Sequence, residues 1–172
     1  MLINFGHPSK LEYERFVNIN EAGRKISEIS NQPQRQPMTP TPFKLAMVQM
    51  EVRGGELDWN LNHALKQIEK AVSQGADVLL LPECMDLGWT HPSSLTMAEE
   101  IPEGRACREL AKAAKIHAVY VCVGLTEKTN DSIYNSAVLI NPQGKVILKH
   151  RKLNELEIGH PYYAQGDRLH VA

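Results

Sequence analysis

The sequence has little of what would tie it to a disulfide scaffold, a metal, a membrane or nucleic acid. Its cysteines are three, Cys84, Cys107 and Cys122, an odd count without a CxxC pair. That pattern excludes both a disulfide framework and a thiolate metal site. An excess of one charge is also missing: 19 Lys and Arg face 20 Asp and Glu, a formal net charge of −1. Such a balance argues against a basic surface for nucleic acid or for an anionic membrane. Apolar runs such as Val78–Pro82 fall far short of the roughly 20 residues of a bilayer span. Met1 to Lys10 has no basic region feeding a long apolar core, so no secretory signal is visible and a cytoplasmic location is expected. There is no GxGxxG or Walker motif, and His91, His150 and His160 lack metal-ligand spacing, so no cofactor or metal is expected.

What is present divides in two. Four of the ten prolines fall within residues 33–42, where lost backbone donors and extended geometry read as a linker. Residues 1–32 ahead of it form a polar extension, helix-compatible from Lys10 to Ser30 and suited to docking or oligomer contact. From Phe43 onward the pattern is that of a layered α/β domain, and the 172 residues suit a single domain. Phe43–Met50 reads as a strand. Leu61, Ala64, Leu65, Ile68, Ala71 and Val72 share one helical face, with Asp58 or Asn60 as the cap and Gly75 as the stop. Asp77–Pro82 lacks alternation, as in a strand covered on both faces. A second helix begins near Pro102, a strand spans His117–Gly124, and SIYNSAVLI and KVILKH form a hairpin through Asn141-Pro142-Gln143-Gly144.

Two residues stand where chemistry is placed in such folds. Glu83 follows Leu81-Pro82 directly, at the C-terminal end of a buried strand, and there a carboxylate can act as a general base. By position alone, a solvated loop glutamate is an equal reading. Lys152 ends another strand, in KHRKL, where an ammonium can stabilise charge on a carbonyl oxygen. On spacing alone, the basic run Lys145–Lys152 reads more simply as a solvated edge that discourages strand pairing. Cys84 adjoins Glu83 but points to the other side of an extended segment, and Cys107 and Cys122 read as core cysteines.

In order, KLAMVQM, the Asn60–Val72 helix, GADVLLLPE, PEGRACRELAKAAKIHAVYVCVG and SIYNSAVLINPQGKVILKHRKL resemble the nitrilase superfamily of carbon–nitrogen hydrolases, from Lys44 to Asp167. The resemblance implies an α/β fold, a nitrilase-like αββα sandwich of which this chain holds the front half. It also implies Cys–Glu–Lys chemistry, with Glu83 of LPE matching the base and Lys152 of HRKL the lysine. The family's further, supporting glutamate has Glu157 as its nearest candidate. The family's nucleophilic cysteine lies beyond the lysine, whereas the twenty residues after Lys152 contain none. The expectation is a hydrolase of the amidase or N-carbamoyl amide type, its nucleophile missing from this chain and the chain inactive alone. It would act on a small amide or N-carbamoyl substrate, with Trp89, Tyr162 and Tyr163 as candidate pocket walls, and form a homo-oligomer or associate with the missing half. The alternative is a non-catalytic truncated homologue that binds a partner or serves as a split subunit.

Overall fold

The computed structural model describes residues 2–4 and 42–171. The expected helical stretch of residues 10–30 and nearly all of the Pro-rich linker lie outside the described residues, while residues 2–4 of the extension form a strand. Six strands form one sheet in chain order: β1 (Leu2–Asn4), β2 (Lys44–Met47), β3 (Val78–Leu80), β4 (Tyr120–Lys128), β5 (Ile133–Ile140) and β6 (Val146–Arg151). β2, β3 and β4 run parallel, while β1 against β2 and the β4–β5–β6 meander are antiparallel, so the sheet is mixed. The parallel pairs require crossovers, and these are helical: α1 (Leu57–Ser73) joins β2 to β3, and α2 (Ser94–Met97) with α3 (Arg105–His117) joins β3 to β4.

The helices start and stop for local reasons. Neither Asp58 nor Asn60 caps α1; Glu56 takes that position without a side-chain cap bond. Asn60 is fully buried instead and ties loops together, accepting from Arg53 N at 2.8 Å and donating to the carbonyls of Arg53 and Asp86. Gly75 ends the helix as its sequence suggests, at φ +80° with its N–H donating to Val72 O. α3 closes on Ala118 in the left-handed region, φ 53°, which delays β4 to Tyr120.

Alternation along the strands then makes two unlike faces. Ala46, Leu79, Val121, Val123, Leu125 and Val138 point toward α1 and α3 and build one core with Leu61, Ile68 and Leu110. The other face carries the row Met47–Leu80–Cys122–Leu139–Leu148, each residue opposite the next across the sheet. This row is apolar, yet Leu80 is 42% exposed and Tyr120, one step along β4, is 40% exposed. Among the described residues the fold is thus a helix layer on a sheet layer, with an open apolar sheet face where a second sheet would complete a sandwich. Cys107 is a core residue as expected, whereas Cys122 belongs to the open face and is only partly covered. Among the described residues no helix is long and apolar enough to cross a membrane.

Candidate functional site

Glu83 leaves the end of β3 on a loop that is stitched to β4. Gly124 N–H donates to Pro82 O at 3.0 Å, and Met85 N–H donates to Gly124 O at 2.9 Å. The backbones approach so closely that a Cβ on Gly124 would fall 2.5 Å from the Cα of Glu83, so this position requires glycine. The next residue, Cys84, adopts φ 44°, turning its side chain away from Glu83 and into the protein. There Sγ lies 3.7 Å from Tyr163 Oη, which also accepts from Thr90 N. Behind them Asp86 is buried. Its carboxylate accepts from Thr126 N, Thr126 Oγ1 and Leu87 N, fastening the loop to β4 a second time.

Lys152 arrives from β6, its N–H still in ladder register and donating to Asn135 O of β5 at 2.9 Å. Its ammonium donates to Glu83 Oε1 at 2.8 Å and to Glu155 Oε1 at 3.0 Å. Asn135 Nδ2 makes a matching pair of bonds, to Glu83 Oε1 at 2.6 Å and to Glu155 Oε2 at 3.1 Å. One ammonium and one amide therefore bridge two carboxylates. The Glu155 side chain is 1% exposed and that of Glu83 is 48% exposed, so one carboxylate anchors and the other faces out. Glu155 is fixed from behind as well, because Gly159 packs where a Cβ would sit 2.6 Å from its Cγ.

The electrostatics follow from this arrangement. Burial disfavours the charge on Lys152, but its bonds to Glu83 and Glu155 outweigh that and raise its pKa above the usual lysine value. Burial likewise opposes charge on Glu155, and Lys152, Asn135 and Leu156 N–H overcome it and lower its pKa. Lys152 is thus held as a cation, suited to stabilising negative charge rather than to accepting protons. Glu83, Asn135, Lys152, Leu80, Cys122 and His150 line a groove of about 520 Å³ that opens onto the apolar sheet face.

Of the residues singled out in the sequence, the structure brings Glu83 and Lys152 into direct contact. It does not bring Glu157 there: Glu157 stands exposed in a 3-10 turn, Glu157–Gly159, while Glu155, two residues earlier, holds the place beside the lysine. Asn135 and Glu155 were not foreseen, although Glu155 lies three residues beyond Lys152 in the segment KLNE. Trp89 is beside the site, with Lys152 Nζ 5.5 Å from its ring centre. Tyr163 is buried beneath the Glu83 loop, and Tyr162 faces a separate hollow beside residues 128–133. Burial raises the pKa of the Cys84 thiol to about 12, which makes it a poor nucleophile. Among the described residues no group of three or more His, Cys, Asp or Glu is placed to hold a metal ion.

Comparison with known proteins finds relatives of this chain. A family model described as carbon-nitrogen hydrolase matches residues 44–172. A nitrilase of Pyrococcus abyssi is 37% identical over 127 residues, covering 72% of this chain and 48% of that protein. The omega-amidase NIT2 of Mus musculus is 32% identical over 120 residues, covering 69% of this chain and 43% of that protein. Among solved structures, XC1258 of Xanthomonas campestris, a CN-hydrolase superfamily protein, aligns with a TM-score of 0.66 at 19% identity, over 73% of this chain and 47% of its own. An amidase from Nesterenkonia sp. aligns with a TM-score of 0.64 at 20% identity, over 72% and 48%. The chain therefore spans about half the length of the relatives it matches.

Proposed function

The chain belongs to the carbon–nitrogen hydrolase family, and from that premise we propose that it supplies the base and the lysine of an amidase acting on small amides or N-carbamoyl compounds. The observation that carries this reading is the Lys152 ammonium held between Glu83 and Glu155, at the mouth of a groove.

In this mechanism Glu83 takes the proton of a cysteine thiol whose sulfur attacks the amide carbon. The carbonyl electrons move to oxygen, and the Lys152 ammonium stabilises that oxyanion at the edge of an apolar face. The tetrahedral intermediate collapses, the C–N bond breaks, and Glu83 returns the proton to the departing ammonia or amine. Water, deprotonated by the same carboxylate, then adds to the thioester, and the acid leaves as the thiol is regenerated. Glu155 and Asn135 hold Lys152 and Glu83 in place, and Glu155 takes the supporting role for which Glu157 was the nearest candidate by sequence. The thiol is contributed by a segment outside these 172 residues: Cys84 is turned inward, Cys107 is buried, and Cys122 precedes the lysine. That segment also covers the open sheet face.

Ammonia release from small amides and N-carbamoyl compounds tests the reading. The 172-residue chain alone gives none. Joined to the cysteine-bearing second half of a family member it gives turnover, which Glu83→Gln lowers by roughly 100-fold or more. Turnover by the chain alone that survives Glu83→Gln overturns the assignment. The open apolar face favours one second reading, a non-catalytic partner-binding homologue. A joined protein that folds and binds its second half yet never releases ammonia decides for it.

A further inference from the structure

β6 has no pattern that sets its own register. It reads Val146-Ile147-Leu148 and then Lys149-His150-Arg151, followed by Lys152: three apolar residues in a row, then four basic ones. Alternation normally punishes a one-residue slip, because a slip sends every side chain to the wrong face. Here, except at the Leu148/Lys149 and Lys152/Leu153 junctions, a slip exchanges apolar for apolar and basic for basic. The β5–β6 pairing already contains one such shift, a bulge at Leu139/Ile140. Yet the candidate site tolerates no slip, since moving β6 by one residue would turn Lys152 to the helix side and put Arg151 or Leu153 in its place toward Glu83.

Glu127 supplies what the strand lacks. It lies at the end of β4 on the helix-facing side, in line with Val123 and Leu125, and its side chain is 1% exposed. Its carboxylate accepts from Ser136 Oγ at 2.6 Å, Lys149 Nζ at 2.6 Å, Arg151 Nε at 2.9 Å and Arg151 Nη2 at 2.7 Å. These partners sit two residues apart on β6 and opposite one another across β5, with Ser136 facing Arg151. A buried carboxylate that must satisfy both Lys149 and Arg151 selects the register in which those two face the helices. His150 and Lys152 are then left for the open side. Arg151 is further held against the Tyr134 ring, 4.0 Å from its centre.

We infer that Glu127 is a positioning residue that sets the register of β6 and so delivers Lys152 to Glu83 and Glu155. It acts through the strand and touches none of the reacting groups. Buried ion pairs are weak contributors to net stability and are best attested as devices of register. The inference rests on the role given to Lys152 above.

The test follows two NMR signals in the 172-residue chain: the cross-strand Hα–Hα contact between Ser136 and Arg151, and the titration of the Lys152 side chain. In Glu127→Gln the contact is lost or split among several registers, and the Lys152 titration falls back toward that of an ordinary lysine. Both signals unchanged overturn the inference. If Glu127→Gln does not fold, a variant carrying Glu127→Met, Lys149→Met and Arg151→Met removes the buried charges together. Folded with split cross-strand contacts, it supports the register role. Folded with wild-type signals it overturns that role, and so does a failure to fold, which would make Glu127 a requirement of folding instead. Glu83→Gln separates the two claims. If it leaves the Lys152 titration in place, the carboxylate–ammonium pair behind the functional reading fails, while the Ser136–Arg151 contact still reports on Glu127 alone.

Discussion

Gly124 shows how much of the site depends on an atom that is absent. A methyl group there would overlap the backbone of Glu83, so Gly124→Ala must push either β4 or the base out of place. Overpacking of this kind costs roughly 1–3 kcal/mol, to be read from urea unfolding, with loss of the Glu83–Lys152 contact as its local signature. The three thiols are separated by their surroundings in the same way. Cys84 and Cys107 are 0% and 2% exposed, whereas Cys122 faces the groove. A maleimide added to the folded chain labels Cys122 first, as peptide mass spectrometry will show; equal labelling of all three would contradict the open face.

At the scale of elements, the loop after β3 and the end of β4 behave as one unit tied through Asp86. Burial raises the pKa of its carboxyl from 3.8 to about 6, against the pull of its bonds to Thr126 and Leu87. The folded chain therefore binds this proton more readily than the unfolded chain, and the group favours folding increasingly as pH falls from about 6 toward 4. Wild type should gain stability relative to Asp86→Asn across that window in denaturant melts. Glu127 has the opposite sign. Its bonds from Arg151, Lys149 and Ser136 outweigh burial and lower its pKa from 4.5 to about 2, so its contribution is complete above 4.5 and lost toward 2. The stability difference between wild type and Glu127→Gln should accordingly shrink as pH is lowered through that range.

For the whole molecule, the unlike faces of the sheet govern behaviour in solution. One face is sealed by α1 and α3; the other presents Leu80, Tyr120 and their neighbours to water. A contiguous apolar patch bordered by polar residues marks a surface that is covered in use. The 172-residue chain should self-associate in light scattering, and Leu80→Lys with Tyr120→Lys should return it to a monomer with unchanged far-UV circular dichroism. A wild-type chain that stays monomeric at high concentration would count against a surface built for burial.

From Phe43 onward the order of the strands and long helices was legible in the sequence, as were Glu83 and Lys152, the two side chains that the structure brings into contact. Helical periodicity, the Gly75 stop, the Asn141–Gly144 turn and strand-end positions are local signals, written within a few residues of where they act. Proximity was beyond it. Asn60 looked like a cap because its side chain suits one, yet its partners are a neighbouring loop and residue 86. Glu157 and Glu155 differ by two residues along the chain, and only the 3-10 turn and the packing of Gly159 decide which carboxylate reaches Lys152. The open face is likewise invisible in the strand sequences, since a strand covered on both sides and one left open on one side carry the same apolar residues. What covers them is a matter of which layers the tertiary structure holds, and among the described residues the helices pack on one face only.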